Sequence, residues 1–221
     1  MTESGRQDTN GDGKRPLGRP RRVIDPDALA ATVAKLYEEE GHDGVSVTAA
    51  ADRLNVSRAT LYRTYPTKEH IIAVLFERST KELTALAEQI VGSDDTAREK
   101  LEALITLQVD ASVRMRGYLP VFFGGGGLPP DSYERWRSFS RHYENLWVKV
   151  LKDAMANGLL AEADPVVTAR LLLGQCLWIS RWYRPSSKYT RKAITEAALA
   201  LLPPAPRPRS SRAQSPGRSA R

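Results

Sequence analysis

Apolar residues recur three and four positions apart along most of the chain, the period of helices with one buried face. Leu29, Val33, Leu36 and Tyr37 predict a first helix that opens at Asp25-Pro26 and stops at Gly41. Asp is a good N-cap, Pro suits the first helical position, and Gly is a common stop. Ser46 caps a second, short stretch, "VTAAADRL", and Ser57 caps a third that Pro66 ends. Thr67 opens a long helix reaching Val91, with Ile71, Ile72, Leu75, Phe76, Leu83, Leu86 and Ile90 on its apolar side. The same period continues over 95–114, 130–158, 164–183 and 188–202, and more weakly over 115–122. No stretch alternates with the period of two that a strand requires. The pattern predicts an all-α protein of about nine helices, interrupted once by "GGGGLPP" at 124–130.

The third stretch, "SRATLYRTYPTK" (57–68), is short and mostly polar, which suits a core helix poorly. With the stretch before it, it fits a helix-turn-helix. Two helices that close need a small contact residue, supplied by Ala51. Their turn needs a residue tolerant of positive φ, supplied by Asn55. Val56, Leu61 and Leu54 then form the plug between them. In such a motif the second helix enters the DNA major groove. Arg58 suits guanine O6 and N7, Arg63 a base or a phosphate, and Ala59 a thymine methyl, while Thr60, Tyr62 and Thr64 supply hydroxyls.

Charge adds the flanks. The 221 residues carry a formal +7, of which residues 1–22 hold +3 and residues 203–221 hold +5, leaving −1 for the body. Both tails are rich in Pro, Arg, Gly or Ser, without apolar periodicity, and are expected to be disordered. Basic tails favour polyanions through counterion release. Gly18-Arg19-Pro20 is similar to the core of an AT-hook, in which arginine lies in a narrow minor groove; a plain basic arm is the alternative. No apolar run reaches the roughly 18 residues of a membrane helix, the N-terminus lacks a signal-peptide pattern, and the single cysteine, Cys176, lies in an apolar run. A cytoplasmic protein with no membrane association is expected. His42, His70 and His142 lack metal-ligand spacing, and no phosphate loop or nucleophile elbow occurs. No catalytic residue, metal or cofactor is expected.

Residues 24–76 resemble the N-terminal domain of the tetracycline-repressor (TetR) family of bacterial regulators. The resemblance is carried by Glu40-Gly41 and by "SVTAAADRLNVSRATLYRTYPTKEHII", with "TLY", the following aromatic and the Lys-Glu after the proline turn. It implies operator contacts at Thr48, Thr60 and Tyr62 and a phosphate contact at Lys68. Ser57, Arg58, Ala59, Arg63 and Thr64 complete the expected DNA surface, with Arg19 from the arm. Ala49, Ala50, Asn55 and Arg63-Thr64 depart from the family pattern. The implied layout is an arm (1–22), a DNA-binding head (23–67), a ligand-binding and dimerisation body (68–202) and a tail (203–221).

The body gives its own hints. Apolar residues of 164–183 (Val166, Val167, Leu171, Leu172, Leu173, Cys176, Leu177, Trp178, Ile179) cover more than one helix face. Such a helix needs cover on two sides, and a second subunit is the simplest cover for one. The last helix, with Ile194, Ala197, Ala198, Leu201 and Leu202, is its expected companion in a two-fold bundle. Segments within 118–190, "VFF", "YERW", "RHYENLWVKVLKDAMANGLL" and "ARLLLGQCLWISRWYRP", are similar to the branch of the family that answers acyl-CoA. That similarity implies an apolar pocket, for which Phe122, Tyr143, Trp147, Trp178 and Trp182 are the candidate walls, and CoA phosphates near Arg114, Arg116, Arg181 or Arg184. The expected function is a homodimeric repressor of a palindromic DNA operator, released by a small apolar effector such as an acyl-CoA. A regulator of drug efflux and a constitutive architectural DNA-binding protein remain as alternatives.

Overall fold

A computed structural model describes residues 24–119, 128–186 and 188–202. The arm, the tail, the glycine run 124–127 and the candidates Arg19 and Phe122 lie outside them. The described residues form eight α-helices: α1 (Pro26–Gly44), α2 (Val47–Arg53), α3 (Arg58–Thr64), α4 (Lys68–Gly92), α5 (Ala97–Arg114), α6 (Pro130–Ala156), α7 (Pro165–Trp182) and α8 (Arg191–Ala200). The chain is all-α, as its periodicity predicts.

Local chemistry sets most boundaries. The Asp25 carboxylate accepts from the Asp27 N–H at 3.0 Å, with Pro26 in the first turn. Gly41 breaks α1 with φ +70°, but helical structure resumes to Gly44, slightly beyond the expected stop. Ser46 accepts from Ala49 N–H at 3.0 Å and Ser57 from Thr60 N–H at 3.1 Å. Asn55 is the one described non-glycine residue at positive φ (+51°), and the Val56 N–H reaches back to the Ala51 carbonyl at 3.1 Å. Thr67 occupies the cap position of α4, yet its hydroxyl pairs with His70 Nδ1 at 2.9 Å instead of a backbone N–H. Thr96 and Glu99 form a reciprocal capping box on α5. Of the weak 115–122 candidate, the described part is one tight turn: the Leu119 N–H donates to the Met115 carbonyl at 2.8 Å.

One continuous core runs along α4. Near its start, Ile71, Ile72, Leu75 and Phe76 are buried in one core with Leu29, Val33 and Leu36 of α1, and α4 packs along α1. Val47, Ala50, Ala51 and Leu61 join this core from α2 and α3; Ala51 and Leu61 are fully buried. Farther along, Leu83, Ala87 and Val91 enter the body, where α4 packs on α5 and α6, and α5 on α7 and α8. Helix α7 buries Ala169, Leu172, Cys176 and Ile179 but leaves Val167, Leu171, Trp178 and Trp182 exposed at 53%, 69%, 61% and 42%. Its second apolar face is therefore largely uncovered by the described residues, apart from Trp182, whose ring meets Tyr189. Leu201, just after α8, is exposed too.

Leu61 is the only fully buried side chain of α3. Leu61→Ala is expected to lower unfolding free energy by about 2–5 kcal/mol, measured by denaturant titration.

Candidate nucleic-acid interface and ligand cavity

Leu61 turns one side of α3 inward, which leaves Arg58, Ala59, Tyr62, Arg63 and Thr64 exposed on the others. The Ser57 and Thr60 hydroxyls lie 2.6 Å apart, and the Thr64 hydroxyl approaches the Thr60 carbonyl at 3.4 Å. The Tyr62 phenol, on a ring 46% exposed, meets the Thr48 hydroxyl of α2 at 3.3 Å. The Arg58 guanidinium donates from Nε and Nη2 to both carboxylate oxygens of Asp52, at 3.3 and 2.9 Å. The fold thus brings Ser57, Arg58, Ala59, Tyr62, Arg63 and Thr64, exposed, together with the half-buried Thr48 and Thr60 on one surface of the α2–α3 pair. Lys68 sits apart at the start of α4, where its ammonium donates to the His42 carbonyl at the end of α1. Asp52 escaped the sequence analysis, because its carboxylate gains meaning only once the turn brings Arg58 beside it.

The body contains an apolar cavity of about 320 Å³. Phe76, Thr80 and Leu83 of α4 form one wall, and Gln108 and Ala111 of α5 with Met115 and Leu119 form another. Trp136, Phe139, Ser140 and Tyr143 of α6 and Leu173, Gly174 and Leu177 of α7 close it. Its polar groups are few. The Tyr143 hydroxyl donates to Gln108 Oε1 at 2.9 Å, and Gln108 Nε2 donates to Ser112 Oγ at 3.3 Å. Burial holds the Tyr143 phenol well above its ordinary pKa, so it remains a donor. Glu144 and Arg170 also line the cavity, joined by bonds of 2.8 and 3.1 Å.

Of the four described aromatic candidates, Tyr143 alone lines this cavity. Trp147 is fully buried behind it, the two ring centroids 6.5 Å apart. Trp178 and Trp182 point away, because they share a face with Leu171, whereas Leu173 and Leu177 face the cavity. Trp182 instead packs edge-on against Tyr189 beside a groove between α7 and α8. Placing them correctly required the phase of α7, which an all-round apolar pattern does not reveal. Gln108 carried a legible signal, a polar residue at a core position of α5 with Ser112 one turn later. None of Arg114, Arg116, Arg181 and Arg184 lines the cavity. Arg114 and Arg116 line a separate space of about 540 Å³ between α1 and α4, together with Tyr37, Glu38, Arg78 and Glu82. Among the described residues no group of three or more His, Cys, Asp or Glu side chains could hold a metal ion. No described helix is long and apolar enough to cross a membrane.

Known proteins share this fold. Residues 29–75 match the family model described as bacterial regulatory proteins, tetR family, and residues 94–203 match the tetracyclin repressor-like C-terminal domain. The HTH-type transcriptional repressor KstR2 of Rhodococcus jostii (strain RHA1) is 23% identical over 205 residues, 91% of this chain and 96% of that protein. A TetR/AcrR-family regulator from Thermobifida fusca superposes with a TM-score of 0.70 at 22% identity, over 80% of this chain and 95% of its own. AibR, solved with isovaleryl coenzyme A and operator DNA, superposes with a TM-score of 0.68 at 21% identity, over 81% and 98%.

Tyr143→Phe removes the one donor that Gln108 Oε1 receives in this wall. A loss of about 1–3 kcal/mol is expected in chemical denaturation.

Proposed function

The chain belongs to the tetR family of bacterial regulatory proteins, and we propose that it is a homodimeric repressor whose hold on a palindromic operator is released by an acyl-CoA-like effector. Residues 23–67 serve as the DNA-binding head, and residues 68–202 as the effector-binding and dimerisation body. KstR2 is a repressor, and AibR was solved with both an acyl-CoA and operator DNA. Both support this reading.

The observation that carries it is the double use of α4. Its early residues Ile71, Ile72 and Leu75 are packed in the core of the head, while Phe76, Thr80 and Leu83 wall the cavity. A ligand that presses on that wall therefore acts on the helix that packs along α1, on which α2 and, through it, α3 are set. In a dimer, two recognition helices must reach successive major grooves about 34–36 Å apart. A ligand favouring another head spacing weakens the complex, and a coupling of about 1–3 kcal/mol changes affinity 5- to 150-fold.

The apolar walls suit an acyl group. Among the described residues the cavity's one cation, Arg170, is already matched by Glu144, which favours a neutral body over a free carboxylate inside. The CoA portion would extend outward from the cavity. The exposed α7 face, with Val167, Leu171 and Trp178, serves as the dimer surface.

A panel of acyl-CoA thioesters, free acids and cationic drugs, scored by thermal shift and by operator release, tests the assignment. Stabilisation and release by an acyl-CoA are expected; a response to cationic drugs alone would indicate an efflux regulator. Steep salt dependence with no preferred sequence would indicate an architectural DNA-binding protein instead. Ala111→Phe puts a ring into the cavity and is expected to abolish release while leaving operator affinity intact, measured by fluorescence anisotropy. Tyr62→Phe is expected to weaken binding to all operators alike, as loss of a hydroxyl that positions without reading bases.

A further inference from the structure

Helices α2 and α3 meet along two polar rungs. Thr48 and Asp52 stand one turn apart on α2, and Arg58 and Tyr62 one turn apart on α3, so each pair shares a face of its own helix. The Thr48 hydroxyl meets the Tyr62 phenol at 3.3 Å, and the Asp52 carboxylate receives Arg58 at 2.9 and 3.3 Å. Both ends of the second rung are open to solvent, with side-chain exposures of 62% for Arg58 and 56% for Asp52.

The atoms used in that rung decide what Arg58 has left to offer. Nε and one N–H of Nη2 are taken by Asp52. Both N–H groups of Nη1 and the other N–H of Nη2 remain, and one from each nitrogen lies parallel on the outer edge of the planar group. That edge matches the O6 and N7 acceptors of guanine. The pair as a whole is neutral. A phosphate brought to it meets the Asp52 carboxylate as well as the guanidinium, whereas a guanine edge is uncharged and needs only two aligned donors. Fixing the guanidinium before DNA arrives also removes rotamer freedom in advance.

Arg63, a turn and a half farther along α3, differs. It is exposed and makes no ion pair or hydrogen bond with the described residues. Its charge is undiminished, which suits a phosphate. Arg53, next to Asp52, is turned the other way and paired with Glu39 and Glu40 of α1 at 2.5 and 2.9 Å, so it does not compete for Asp52.

We propose that Asp52 is a positioning residue that presents Arg58 to a guanine in each operator half-site, while Arg63 holds the DNA backbone. This rests on the reading of α3 as a recognition helix. Asp52 acts only through Arg58, and its carboxylate touches no base.

The test selects bound duplexes from a randomised DNA library with the full chain, then measures affinity and salt dependence on the selected site. The wild type is expected to enrich a two-fold site with one strongly preferred guanine per half. Arg58→Ala is expected to lose that preference, by about tenfold or more, while retaining the remaining positions. Replacing the guanine by 7-deazaguanine, which lacks N7, is expected to weaken the wild type but not Arg58→Ala. Arg63→Ala is expected to keep the guanine preference and to reduce the salt slope by about one. Two Asp52 variants separate positioning from charge. Asp52→Asn is expected to bind random duplex more tightly, having lost a negative charge, yet to discriminate guanine less. Asp52→Glu keeps the charge but moves the carboxylate by one methylene, and is expected to lose discrimination without gaining random-duplex affinity. Melting curves establish the folding of each variant, and Asp52→Glu decides between positioning and charge if Asp52→Asn is unstable. Undiminished guanine preference in Asp52→Glu, or a uniform loss across all sequences in Arg58→Ala with a reduced salt slope, overturns the inference alone. A wild-type protein that enriches no sequence overturns the recognition-helix reading beneath it.

Discussion

One helix, α4, has to fit both ends of a continuous core at once. Its 25 residues extend about 37 Å. Ile71, Ile72 and Leu75 must fit the small core around Leu29, Val33 and Leu61, while Leu83, Ala87 and Val91 must fit the body. Between the two lie Phe76 and Thr80, with one side on the cavity. Close-packed interiors accommodate a change by shifting to another discrete packing rather than by bending smoothly. A rigid element anchored at both ends of one core transmits such a shift over its full length.

The head shows how little apolar material a recognition surface needs. Helix α3 is held by Leu61, assisted by the partly buried Val56 and Leu54, and it ends where Tyr65 precedes Pro66. Everything else on it is free to be polar. The polar side chains are nonetheless ordered among themselves, Ser57 with Thr60, Thr48 with Tyr62 and Asp52 with Arg58. Each bond contributes little to stability at such exposed positions. Their effect is to limit the rotamers of the exposed side chains.

Much of this was legible along the chain, because the relevant constraints are local. Ala51, Asn55 and Pro66 each meet a backbone or contact requirement within a few residues, and helical periodicity located all eight helices. What escaped depended on three-dimensional phase. Trp178 and Trp182 resemble pocket aromatics in sequence, yet α7 turns them away from Leu173 and Leu177. Trp147 lies one turn beyond Tyr143 on α6 and is core: it is fully buried and does not line the cavity. The Asp52–Arg58 pair spans the turn at Asn55, and its two members belong to different helices. The Glu144–Arg170 pair is similarly hidden, its partners far apart in the chain and joined only when α6 packs on α7.

As the proposed dimer surface, the exposed face of α7 would link abundance to control. If Val167, Leu171 and Trp178 are covered by a second copy, the operator-binding species forms by a second-order reaction. At chain concentrations well below the dimer dissociation constant, halving the chains leaves about a quarter of the dimers. Synthesis rate then sets the steepness of the genetic switch alongside the effector. A change that weakens this face raises basal expression with the recognition helix and the cavity untouched.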